Sequence, residues 1–166
     1  MAIQEVISVL ERLVEAHEEL IALSKSKRES IMSNDVDLLS KTMKQENKLI
    51  QTLSDLERER IAASARVLEE NGVKAGGSVT LRQVMSSVSD REHSLLLAEL
   101  EDRLRTQLKE LRASNDLNQQ LIQHSIDFIN LSIELIVPQH DDSYIYRNPS
   151  AYSQDNSGAG IYNKRV

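Results

Sequence analysis

DREHSLLLAELEDRLRTQLKELRASNDLNQQLIQHSIDFINLSIELIV, residues 90–137, holds neither glycine nor proline. Its apolar residues return every three or four positions or at multiples of that spacing: Leu97, Leu100, Leu104, Leu108, Leu111, Ile122, Ile129 and Ile136. This is the period of an α-helix with one apolar side. Pro138 ends it, because a proline lacks the N–H that the next turn would use and its ring clashes with the preceding turn. At about 1.5 Å per residue such a helix reaches roughly 70 Å, against roughly 45 Å for a helix over 3–33. It must overhang its partners or bend.

The rest of the body is punctuated in the same way. The five glycines stand at 72, 76, 77, 158 and 160 and the two prolines at 138 and 149, so residues 1–71 are also free of breakers. Ile3, Ile7, Leu10, Val14, His17 and Ile21 alternate spacings of four and three, with Val6, Leu13 and Leu20 beside them. A stripe this broad fits a helix with two neighbours. The spacing predicts a first helix over about 3–33, with Lys25, Lys27 and Arg28 set against its negative C-terminal pole. Asn34 or Asp35 then caps a second helix over about 35–71, whose stripe runs through Leu39, Met43, Ile50, Leu53, Leu56, Ile61 and Leu68. Asn71-Gly72 closes it with a residue tolerant of left-handed backbone angles. The short connection makes the pair an antiparallel hairpin. Thr80 caps a short helix over about 80–89 through Leu81, Val84, Met85 and Val88. The fold class is therefore all-α: a long antiparallel hairpin plus a long third helix over 90–137, forming a coiled-coil-like bundle over residues 1–137.

Residues 138–166 change character, being rich in Ser, Asn, Asp, Gly and Tyr and poor in aliphatic residues. They read as a disordered tail. All four tyrosines, Tyr144, Tyr146, Tyr152 and Tyr162, lie there, whereas the body's one aromatic residue is Phe128. Tyrosines with no core to fill suggest contact with a partner, because each joins apolar area to a hydrogen-bonding tip.

Composition excludes several functions. With no Cys there is neither a disulfide nor a thiolate metal site. A formal net charge of −6 opposes nucleic acid, whose binding needs clustered cations. No apolar run reaches the roughly 18 residues of a membrane span, and Met1 to Ile7 lacks the order of a signal peptide. A cytoplasmic location without membrane insertion is expected. The four histidines, His17, His93, His124 and His140, are scattered, and Asp90 with His93 is one pair where a dimetal bundle needs several. Asn34-Asp35-Val36-Asp37 lacks the Gly and distant Glu of a calcium loop. The expectation is a protein that is not an enzyme and carries no metal or other cofactor.

Polar residues on the apolar stripes are more informative. Glu46 and Arg60 fall at the edge of the hairpin seam, where apolar stems along the seam and heads in water are expected. On the last helix Asn115, Asn118, Ser125 and Ser132 alternate with Ile122 and Ile129, beside Leu121, Phe128 and Leu135. Two readings of the asparagines stand: a buried Asn fixes register at a cost in stability, or the face stays hydrated until a partner helix covers it.

Residues 10–60, followed by NDLNQQLIQHSIDFI at 115–129, resemble the FlgN-like flagellar export chaperones. The likeness lies in the Leu-spaced first helix with late Lys27, the Asp35-initiated second helix with central Glu46, LERER at 56–60 containing Glu57 and Arg60, and Asn115-x-x-Asn118-x-x-Leu121. It covers residues 3–137. The resemblance implies a cytoplasmic chaperone that binds the terminal segments of hook-associated, hook–filament junction proteins and delivers them to the flagellar export gate. On it, Asn115, Asn118, Leu121, Ile122, Ser125, Phe128 and Ile129 form the partner-binding surface. Tyr144, Tyr146 and Tyr152 fall outside the family's pattern and join that set on their chemistry alone. The competing reading is a structural coiled-coil scaffold or tether in which the same seam pairs with copies of itself, as in a homodimer.

Overall fold

The computed structural model describes residues 1–73 and 79–137. The disordered-tail reading and the tyrosines therefore lie outside the described residues. Four helices follow one another: α1 (Ala2–Met32), α2 (Val36–Glu70), α3 (Leu81–Ser87) and α4 (Arg91–Ile136). The class is all-α, with no strand among the described residues.

Local chemistry sets the ends. Asn34 takes a left-handed φ of 56° in the α1–α2 turn, a conformation that Asn accepts more readily than other side chains. Asp35 caps α2, its carboxylate accepting from the Leu38 N–H at 2.9 Å. Gly72, at φ 71°, follows the C-cap of α2. Thr80 and Gln83 form a capping box at α3, each side chain bonding the other's backbone N–H. Asp90 accepts from the His93 N–H at the start of α4, which explains this pair without a metal.

The chain divides into two units, Met1–Ser125 and Ile126–Val166. In the first, ion pairs fix the direction of every long helix. Glu5 meets Arg66, Arg12 meets Glu59 and Lys27 meets Glu46, so numbers fall along α2 as they rise along α1: the hairpin is antiparallel. Between α1 and α4 the numbers rise together, from Glu18–Arg103 to Lys25–Glu110 and Arg28–Asn118, so α4 runs parallel to α1. The α1 and α2 backbones approach closely, and α4 is joined to α1 by side-chain bonds, two of them to α1 backbone carbonyls.

The core occupies one end of this unit. Val6, Leu10, Leu13 and Val14 of α1 pack with Leu56, Val67 and Leu68 of α2, Val84 of α3, and Leu97 and Leu100 of α4. At about 25 cal/mol per Å² of apolar surface, their burial is the main source of stability. The α2 seam is rotated from the sequence stripe. Thr42, Leu56, Ala63, Val67 and Leu68 are buried, while Met43, Ile50 and Ile61 are exposed. On α4, Gln107, Ser114 and Asn118 are buried and Leu108 is exposed. Small and polar residues thus share the buried positions with the leucines of the core.

In the second unit the described residues are 126–137, IDFINLSIELIV. Ile126, Phe128, Ile129, Leu131, Ile133, Leu135, Ile136 and Val137 are all exposed.

Candidate functional site

Three features arise from these helices. The first is a polar clasp between α1 and α4. Asn118 is 3% exposed. Its Nδ2 donates to the Ser24 carbonyl at 2.9 Å and to Ser24 Oγ at 3.2 Å, while its Oδ1 accepts from Arg28 Nε at 3.3 Å. Arg28 Nη2 also donates to Ser114 Oγ at 2.9 Å, and the Ser24 and Ser114 hydroxyls lie 2.6 Å apart. Two turns before Ser114 on α4, Gln107 Nε2 donates to the Val14 carbonyl at 3.1 Å. One amide, that of Asn118, thus serves Ser24 and Arg28 of α1 together.

The four polar residues of the α4 face thus part company. Asn118 turns to α1 and Asn115 is exposed. Ser125 donates to its own helix at the Leu121 carbonyl and Ser132 at the Phe128 carbonyl. A serine satisfied in this way leaves a small, shallow position between larger neighbours. Leu121 and Ile122 are half-buried, and Phe128 and Ile129 are 71% and 55% exposed.

Basic residues late in α1 also act sideways rather than at the helix pole, whose last turn has no basic residue. Lys25 pairs with Glu110 and Lys27 with Glu46 at 2.8 Å, and Arg28 enters the clasp. The Lys27–Glu46 pair is largely covered, beside buried Thr42. The head of Glu46 is therefore not in water, because the hairpin brings a cation to it.

The second feature is an apolar groove of about 870 Å³ between α2 and α4. Leu10, Leu13 and His17 of α1 line it together with Ile50, Leu53 and Ile61 of α2 and Leu104 and Leu108 of α4. His17 is half-buried and its Nδ1 donates to the Leu13 carbonyl at 2.7 Å, which makes it a structural histidine. At the groove's edge Arg60 holds Glu57 in a two-point fork, Nε to Oε2 at 2.8 Å and Nη2 to Oε1 at 2.6 Å. That hydrogen bonding raises the Arg60 pKa, against the burial that would lower it, and the charge of Glu57 adds to the rise. Sequence reasoning did not find this groove. Its signal was present in Ile50, Leu53 and Ile61 of the α2 stripe and Leu104 and Leu108 of the α4 stripe, which line it.

The third feature is the apolar segment of the second unit. It is apolar on nearly every side, since eight of its twelve residues are aliphatic or aromatic. Helices of this composition are ordinarily buried, and exposed apolar area of this extent marks an interaction site. Among the described residues no group of three or more His, Asp or Glu could hold a metal. No described helix is long and apolar enough to cross a membrane.

The family model described as "FlgN protein" matches residues 1–154. A relative from Bacillus subtilis (strain 168), named "Uncharacterized protein YvyG", is 28% identical over 142 residues, covering 86% of this chain and 85% of its own. No solved structure matches.

Proposed function

The chain belongs to the FlgN family, whose general role is chaperoning in flagellar export, and from that membership we propose a cytoplasmic chaperone of the hook-associated proteins. It binds their terminal segments before export, keeps those amphipathic segments from aggregating, and helps deliver them to the flagellar type III export gate. It does so by binding alone, without chemistry or a cofactor.

The observation that carries this reading is the exposed apolar surface of α4. Leu121 and Ile122, with Ser125, continue the seam beyond Asn118, and Phe128 and Ile129 follow at the same spacing. A cargo helix would set its own large residues against Phe128 and Ile129, the usual way an amphipathic helix meets an apolar strip. Asn115 and Asn118 are assigned to the same partner set, Asn115 as an exposed polar contact and Asn118 as a residue bonded to α1 in the cargo-free chain. Tyr144, Tyr146 and Tyr152 are assigned to the same partner set, as contacts to cargo or gate.

Calorimetric titration of the full chain with terminal segments of hook-associated proteins tests the reading. Saturable binding is expected. Phe128→Ala should weaken it about tenfold or more, the scale of an aromatic anchor, with the helical circular dichroism unchanged. A 1–137 truncation then assigns or removes the tyrosines. Absence of binding together with tight self-association would instead favour a homodimeric scaffold, built by pairing of the same strip.

A further inference from the structure

The α1–α4 seam is made of two chemically different halves. In the first, Val6, Leu10 and Val14 face Leu97 and Leu100 within one continuous apolar core, each nearly or fully buried. That core ends on α1 at Ala16 and, among fully buried residues, on α4 at Leu100. In the second half the buried residues of α4 are Gln107, Leu111, Ser114 and Asn118, and those of α1 are Ile21, Ser24, Ser30 and Ile31, with Arg28 bonded across the seam. Leu111 is the one apolar side chain among the four of α4, and it lies outside the core cluster.

The two halves respond differently to water. Separating the first exposes close-packed aliphatic surface, whose full hydrophobic cost has no compensation. Separating the second breaks hydrogen bonds, most of which water can replace on both sides. On the other side of α1, Lys27–Glu46 and Ser26–Thr42 keep the hairpin together independently of α4.

We propose that residues 107–118 of α4 form a releasable clasp, which leaves α1 and unwinds as a unit while residues 97–104 and the α1–α2 hairpin stay folded. The open state bares Leu111 and frees Ser24, Arg28, Ser114 and Asn118 as hydrogen-bonding groups. Local opening of this kind is a sub-global unit with its own free energy. The proposal does not depend on any cargo.

Native-state hydrogen exchange of the full chain at increasing urea decides it. Amides of 108–118 are expected to exchange at least tenfold faster than those of 97–104, with a weak dependence on urea, while amides of 20–28 in α1 exchange as slowly as 97–104. Equal rates and equal urea dependence along α4 would overturn the proposal. A triple variant, Ser24→Ala with Ser114→Ala and Asn118→Leu, converts the clasp to apolar contact. It should slow exchange at 108–118 at least tenfold and leave 97–104 unchanged. A wild-type difference that this variant does not reduce would attribute the fast exchange to fraying of α4 and overturn the clasp. Were the triple variant not to fold, the single variant Ser114→Ala serves in its place: removing one hydroxyl from the seam should speed exchange at 108–118 and leave 97–104 unchanged, and no change at 108–118 would overturn the clasp.

Discussion

The carboxylate of Glu46 and the ammonium of Lys27 lie 2.8 Å apart on facing helices, and their side chains are 14% and 18% exposed. Neither ion is well hydrated, so each depends on the other. Removing one leaves a charge with little water and no partner, whereas replacing both by apolar groups removes the problem. Glu46→Ala should therefore destabilise the chain by about 2–3 kcal/mol, and the Lys27→Met, Glu46→Leu double variant by no more than about 1 kcal/mol. Urea unfolding of the three proteins measures both numbers. A double variant as unstable as the single one would show that the pair contributes more than mutual compensation. Asn118 illustrates the same rule for a neutral group, since its amide serves Ser24 and Arg28 at once. The side-chain types at 27, 46 and 118 were plain in the sequence. Their partners were not, because each lies on another helix at a separation of 19 to 94 residues.

At the scale of single elements the sequence was most readable. Helix ends are decided by neighbours a few residues away, and Asp35, Asn71-Gly72 and Thr80 could be read as caps and stops for that reason. Asp35→Ala should cost about 1 kcal/mol, because the Leu38 N–H loses its acceptor at the first turn of α2. Asp35→Asn, which keeps an acceptor, should cost only a few tenths of that. Thermal unfolding of both variants checks the pair, and equal losses would mean that charge rather than the hydrogen bond matters. The orientation of each stripe was less readable. On α2 the sequence pointed to Met43, Ile50 and Ile61, yet the helix turns Thr42, Ala63 and Val67 inward. Small side chains let α1 and α2 approach closely, and hydropathy alone does not register that advantage.

Across the whole molecule, apolar residues divide into those that hold the bundle and those that face outward. Leu97 is fully buried and Leu108 is 54% exposed at the groove, although both stand in the same sequence stripe. Leu97→Ala should cost about 2–5 kcal/mol, the range for a buried leucine that leaves a cavity. Leu108→Ala should stay within about 0.5 kcal/mol, as surface substitutions do. A large loss at Leu108 in urea unfolding would mean that the groove is closed in solution. What the sequence determined by itself was the all-α class, the long helices, their caps and the family, since breakers, period and short motifs are local properties of the chain. Tertiary structure alone decided that α4 runs parallel to α1, that Asn118 is inside and Asn115 outside, and that a groove lies open between α2 and α4. Those outcomes depend on how two helices face each other. A helical stripe states that one side will be covered, but the covering surface comes from residues far away in the chain.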